Sequence, residues 1–303
     1  MKTLLGIGGT TCVGKSEVAV RLAKMLGAEI ISADSAQIYK GMDVGTAKIT
    51  PSQMQGVKHH MLDVVEPSVS FSSFQYAQQA SKIIDATSAT PIIVGGTGFY
   101  FDSLVYPPEF GQGDPARRKQ LQQMLEEKGL ESLCEMLRKL DFEAYAQVDL
   151  KNPVRVLRAV EIAELGQSIA AGKGKTKPRY NLMLFVLTRD RDNLYKMIDK
   201  RVDDMISNGL VEEARALLEK YGKLDTSAFS AIGYKEIFEY IDGKVSLEEA
   251  INNVKLNTRH YAKRQITYFK KMNVAKFVDV EGQTPEQVAQ YIYDRYLELS
   301  TKQ

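Results

Sequence analysis

The chain has 303 residues, 44% of them hydrophobic, with 40 Lys plus Arg against 38 Asp plus Glu and a formal charge of +2 at pH 7. That length supports one large core, or a core with a smaller inserted module. The balanced charge excludes polyanion binding through a global positive field and leaves only local basic clusters.

Cys12 and Cys134 are the only cysteines and form no C-x-x-C pair, which argues against a zinc finger or disulfide framework and fits a reducing compartment. No apolar run reaches about 18 residues, so no membrane-spanning helix is expected. The first residues carry no small-residue cleavage pattern and do not read as a secretory signal.

In chain order, short apolar runs bounded by turn residues fall at 3–7, 29–32, 61–65, 91–94 and 182–187, with a weaker one at 275–280. Helix-period segments at 14–26, 74–87 and 191–208 separate several of them. This alternation predicts an α/β fold with a parallel sheet covered by helices on both faces.

Between residues 114 and 172 the strand signal vanishes, and 117–128, 130–140, 143–148 and 153–165 read as short helices. The expected division is an α/β core of residues 1–113 and 176–303, with an all-helical insertion domain at 114–175. The Gly- and Lys-rich exit of the insert, 170–179, reads as a mobile basic linker.

Gly9-Thr10-Thr11-Cys12-Val13-Gly14-Lys15-Ser16 spells G-x-x-x-x-G-K-S between the first strand and the first helix, the context a P-loop requires. Backbone N–H groups at a helix N-terminus cradle a diphosphate, Lys15 adds a point charge, and the Ser16 hydroxyl can ligate Mg²⁺. In an open parallel sheet, strand carboxyl ends line one crevice, so Asp34, after the second strand, is expected to face the ligand. There it accepts a proton or binds a substrate amine; the alternative is that it only caps a turn.

Gly95-Gly96-Thr97-Gly98 lies at another strand end, where glycines permit close approach of a second substrate, or simply make a strand-to-helix turn. Asp63 is a possible acidic support for magnesium, although it sits inside an apolar run. The adjacent His59 and His60 point to opposite faces of a strand and make a poor metal pair.

At helical spacing, 258–271 presents Arg259, Lys263 and Lys270 as one stripe with His260, Arg264 and Lys271 beside it, and Tyr261, Ala262, Tyr268 and Phe269 on the packing side. Such a stripe is either a solvated face or a phosphate-backbone footprint. Arg155 and Arg158, three apart after Pro153, either touch phosphates or pair with acids such as Glu161 and Glu164.

Taken together, the P-loop, Ala33–Tyr39, Asp43–Lys48, His59-His60, Val94–Gly98, Asn152–Ala159, Ala231–Glu236 and Thr258–Gln265 resemble the tRNA dimethylallyltransferase family, also called tRNA isopentenyltransferases, over nearly the whole chain. The resemblance implies transfer of a dimethylallyl group from its diphosphate to the exocyclic amine of the adenosine 3′ of the anticodon in tRNA, with release of pyrophosphate. It implies Asp34, Lys15, Ser16 and Arg201 as catalytic residues, Gly9 to Ser16 as the diphosphate or nucleotide loop, and Mg²⁺ at Ser16. Asp34, Ser35, Ala36, Gln37, Thr97, Arg118, Val154, Arg155, Val156, Leu157 and Arg158 match tRNA-contacting positions.

A flipped adenosine follows, because the target amine must leave its stack to reach a buried site. Two positions depart from the family pattern: Thr10 stands where proline is usual, and Tyr268 where tryptophan is common. The reading is completed as a cytoplasmic monomer with tRNA and dimethylallyl diphosphate as partners and no membrane. Its rivals are a P-loop kinase for a small molecule or nucleotide, and an RNA-binding protein whose P-loop is a conformational switch.

Overall fold

The structure is a computed structural model and describes residues 1–107, 113–172 and 177–300. Its elements are β1 (Thr3–Gly9), α1 (Lys15–Leu26), β2 (Ile30–Ser32), α2 (Pro51–Met54), β3 (His59–His60), α3 (Ser73–Ala86), β4 (Ile92–Val94) and α4 (Gly98–Val105). There follow α5 (Pro115–Leu140), α6 (Phe142–Gln147), α7 (Pro153–Glu164) and α8 (Ile169–Gly172). The chain closes with β5 (Asn181–Thr188), α9 (Arg191–Ser207), α10 (Leu210–Tyr221), α11 (Tyr234–Ile241), α12 (Leu247–Phe269), β6 (Ala275–Asp279) and α13 (Pro285–Ser300).

Among the described residues six strands form one parallel sheet in the order β3-β2-β4-β1-β5-β6. The α/β parallel-sheet fold expected from the sequence is the one found. Period-2 alternation divides its side chains between two apolar layers. Leu5, Ile7, Ile30, Ile92 and Phe185 pack with Val18, Leu22, Val288 and Ile292 of α1 and α13. Leu4, Ile31, Ile93, Leu184 and Val186 pack on the other face with Tyr76, Phe101 and Phe269 of α3, α4 and α12.

Gly8 lies on that second face, and a Cβ there would stand 2.8 Å from the Phe269 ring. This close approach seats α12 over the end of β1.

The strand expected at 61–65 does not form. Met61 and Asp63 take φ values of 61° and 52°, and only Val65 pairs, as an isolated bridge to Tyr39. Lys48 explains the departure: its ammonium pairs with Asp63 at 2.6 Å and Asp43 at 2.7 Å and donates to the Tyr39 carbonyl at 2.7 Å, which folds the segment into a loop.

The chain separates into two compact units, Met1–Val105 with Arg179–Gln303, and Tyr106–Pro178. Val105 accepts a backbone hydrogen bond from Arg179 at 2.8 Å, so the first unit closes on itself where the second departs. Residues 173–176 of the expected basic linker lie outside the described residues.

The second unit is helical. Gly129, with φ 77° and ψ 172°, breaks α5 between the two predicted helices, and Leu121, Leu133, Leu137, Val156, Leu157 and Val160 make its core. Glu161, with 3% of its side chain exposed, accepts from Arg118 at 2.8 and 3.0 Å and from Arg158 at 3.0 Å. Glu161→Ala removes the acid these two guanidinium groups share and is expected to destabilise this unit by about 2–4 kcal/mol. Urea unfolding followed by cleavage within 113–172 reads it.

Candidate active site

The loop after β1 is built for an anion. Gly9 carries φ 142°, and a Cβ there would stand 2.7 Å from the Leu187 carbonyl, so the strand turns sharply beside β5. Gly14, at φ 97°, caps the start of α1 in a left-handed conformation that side chains rarely adopt. The first-turn N–H groups of α1 have no intrahelical partner and carry the positive end of the helix dipole.

Lys15 arches back and donates to the Thr10 carbonyl at 2.6 Å. Burial pushes its pKa down to about 8, the nearby Asp34 charge opposes that shift, and Arg201 deepens it. These three charges therefore meet at the loop, although they come from α1, the end of β2 and the middle of α9. Arg201 also approaches the Thr11 hydroxyl at 3.5 Å. Ser16 is exposed in the first turn of α1.

Asp34 caps a turn, and the capping leaves one carboxylate oxygen without a protein partner among the described residues. Its Oδ1 accepts from the Ala36 and Gln37 amides at 2.9 and 3.3 Å, capping the turn that follows β2. Its other oxygen makes no hydrogen bond among the described residues. The carboxylate field reaches Lys15 and also Tyr261 and Tyr100, whose hydroxyls are pushed up, Tyr261 to about 12, chiefly by burial.

Thr97 ties the β4 turn to the same place: its hydroxyl accepts from the Ser35 amide at 3.1 Å, and its amide donates to the Ala33 carbonyl at 3.1 Å. Gln37 reaches the other way, to the Thr46 carbonyl at 3.2 Å.

α12 supplies two residues to which the sequence pattern assigned no role. Gln265, 5% exposed, accepts from the Thr11 amide at 2.8 Å and donates to the Gly96 carbonyl at 3.1 Å, clamping the anion loop to the β4 turn. The Tyr261 hydroxyl hydrogen-bonds with Thr97 and Gln265 and faces Asp34. Helical periodicity had placed Tyr261 on the packing side; it lies there, but its oxygen ends in the site. The only available signal was its spacing of four from Gln265.

Gln265→Leu leaves the Thr11 N–H and Gly96 C=O without their partner, and is expected to lower stability by about 1–3 kcal/mol. The same variant is expected to weaken binding of inorganic pyrophosphate at the loop, as a thermal-shift titration beside the melt will read.

Several expectations are corrected. The Thr11 amide is occupied by Gln265, so the anion-binding N–H groups begin beyond it. The space beside the β4 glycines is filled from within: a Cβ on Gly95 would overlap the Ala33 carbonyl, on Gly96 the Gln265 amide, and on Gly98 the Tyr268 ring. No second substrate approaches through those positions. Asp63 is committed to Lys48.

His60 pairs with Glu29 at 2.7 Å and His59 with the Val57 carbonyl at 2.9 Å, so each ring has a partner within the protein. The 43–45 amides all donate to the Glu213 carboxylate, at 2.8 to 3.0 Å, and Glu213 accepts from Tyr234 at 2.6 Å. That motif therefore anchors a loop. Arg259 is neutralised by Asp199 through a bond of 3.2 Å from Nε, which removes it from the basic stripe. His260, Lys263, Arg264, Lys270 and Lys271 remain exposed.

In the helical unit, Val154 is 73% exposed and the Arg155 guanidinium pairs with Asp149 at 3.5 Å. Val156 and Leu157, at 0% and 5% exposure, direct their side chains into that unit's core and away from any surface ligand.

Comparison with known proteins agrees with this geometry. The family model described as IPP transferase matches residues 37–272. The chain is 43% identical over 285 residues to the tRNA dimethylallyltransferase of Clostridioides difficile (strain 630), covering 92% of each sequence. Its fold is similar to the tRNA isopentenylpyrophosphate transferase of Bacillus halodurans, with a TM-score of 0.75 and 38% identity over 100% of this chain and 98% of that one. It is also similar to a eukaryotic dimethylallyltransferase acting on tRNA, with a TM-score of 0.84 and 26% identity over 99% and 79%. With the family model matching most of the sequence and relatives above 40% identity over nearly its whole length, the chain belongs to the IPP transferases.

Proposed function

We propose that this protein transfers a dimethylallyl group from dimethylallyl diphosphate to the exocyclic amine of the adenosine 3′ of the anticodon in tRNA. The carbon–oxygen bond to the diphosphate breaks, a nitrogen–carbon bond to the adenine amine forms, the amine proton passes to Asp34, and pyrophosphate leaves. The observation that carries this reading is the meeting of Lys15, Arg201 and Asp34 at one loop, cations for a departing anion and a base for an attacking amine.

An aryl amine is a weak nucleophile, so holding it beside the allylic carbon supplies much of the rate. Asp34 orients that amine, and the first-turn N–H groups of α1, Lys15 and Arg201 hold the diphosphate. Among the described residues no group of three or more His, Cys, Asp or Glu is arranged to hold a metal ion. An exposed hydroxyl, Ser16, beside a diphosphate site is nevertheless a donor set that suits Mg²⁺, which takes most of its ligands from phosphate and water. When bound, Mg²⁺ neutralises charge on the leaving group.

The tRNA is held by Ser35, Ala36, Gln37 and Thr97, by Arg118, Val154, Arg155 and Arg158 of the insertion domain, 114–175, and by the exposed cations of α12. The protein acts as a monomer in the cytoplasm. No helix among the described residues is long and apolar enough to cross a membrane.

Purified protein incubated with Mg²⁺, labelled dimethylallyl diphosphate and tRNA is expected to label the adenosine 3′ of the anticodon. Consumption of ATP on a small acceptor, with unlabelled tRNA, would instead identify a kinase.

A further inference from the structure

Phe99 is 63% exposed, in the first turn of α4 and two residues beyond Thr97. An isolated exposed aromatic is unremarkable on a protein surface. This one is part of a built shelf. Tyr268 of α12 lies 5.5 Å from it, centroid to centroid, with the rings tilted by 46°.

The Tyr268 ring is fixed on two sides. Its hydroxyl donates to the Asp102 carboxylate, and its face rests over Gly98, where any side chain would collide with it. Arg264 stands one turn before Tyr268 on α12, Lys271 follows in the turn just past the helix end at Phe269, and both are exposed. Arg264 also lies over the Tyr261 ring, 5.7 Å from its centroid. Along α12, from the residue that feels the Asp34 charge, the order is Tyr261, Arg264 and Tyr268 paired with Phe99, with Lys271 just beyond the helix end.

Aromatic faces bordered by cations are what single-stranded nucleic acid recognises: bases stack on the rings, and phosphates meet the charges. An adenosine drawn out of its stack leaves its neighbours unstacked and needing a new surface. We propose that Phe99 and Tyr268 form a stacking shelf for a nucleotide flanking the target adenosine, with Arg264 and Lys271 at its phosphates. This rests on the tRNA reading above and extends it to residues outside the anion loop and the Asp34 turn.

The test uses anticodon stem-loop RNAs carrying 2-aminopurine on one or the other side of the target adenosine. Wild-type protein and Phe99→Trp quench the probe at one of the two positions on binding, and Phe99→Ala does not. In the transfer assay, Phe99→Ala raises KM for RNA about tenfold, with kcat at saturating RNA and KM for dimethylallyl diphosphate unchanged. Lys271→Gln lowers the slope of log affinity against log salt by about one.

Phe99 is exposed, so its replacement leaves the thermal melt in place. If wild-type protein labels the RNA while Phe99→Ala keeps wild-type KM and quenching, the shelf is wrong and the transfer reading stands. If wild-type protein labels no RNA, both fall together.

Discussion

Replacing Asp34 with asparagine lowers group transfer by about two to four orders of magnitude and leaves tRNA binding little changed. The variant is nearly isosteric, and its carbonyl oxygen still accepts from the Ala36 and Gln37 amides, so the turn after β2 keeps its cap. What is lost is the negative charge and the capacity to take the amine proton. Because the Asp34 charge also holds the Lys15 pKa up, the variant makes Lys15 lose its proton at lower pH, and any residual activity declines earlier on the alkaline side. Single-turnover transfer and filter binding, measured side by side, separate the two effects. An asparagine variant with wild-type turnover would remove Asp34 from the chemistry.

The second large effect belongs to Lys15. Its pKa near 8 lies below the ordinary lysine value, so across the interval between them the unfolded chain binds more protons than the folded one. The free protein therefore gains stability as pH rises through that interval, and below about 8 it carries a desolvated charge that Asp34 offsets in part and a bound anion would offset further. Pyrophosphate accordingly binds the protonated form.

A thermal-shift titration is expected to show pyrophosphate affinity weaker by about tenfold or more at pH 9.5 than at pH 7, with Lys15→Met showing much less of that dependence. At pH 7 the same variant melts about 1–2 °C higher than wild type without ligand, yet loses transfer, the exchange of stability for function expected at a charged site. Equal pH dependence in wild type and Lys15→Met would show that the lysine proton is not the one being read.

How far the sequence reached differs from residue to residue. The shape of the glycine loop was legible, because its requirements are local: a strand end, glycines, a lysine and a helix start, whereas the bond from the Thr11 amide to Gln265 was not. Five of the six strand segments were legible from apolar runs, but not β3 at His59–His60 or the placement of β1 between β4 and β5, since strand order depends on which crossovers the helices take. Asp34 stood out from its place after a strand, and its turn-capping bonds use only one of its two oxygens.

Long-range partners were hidden. Nothing near residues 43–45 announces that Glu213 will receive their amides, and nothing near Gly96 announces Gln265. Periodicity identifies the face of α12 that turns inward but not what it meets, so Tyr261 was taken for packing and Arg259 for a free cation. Glycines 95, 96 and 98 carried the same ambiguity: small residues mark a close approach, and only the fold tells whether substrate or protein fills the space.

The hydrogen bond from Arg179 to Val105 has an evolutionary corollary. Chain that departs and re-enters at a single closed seam can lengthen, shrink or be exchanged wholesale without unpairing any strand of its host, because the entropy of a larger loop grows only slowly with length. Selection can thus remodel the helical unit while the parallel sheet, built from both flanking stretches of chain, stays untouched.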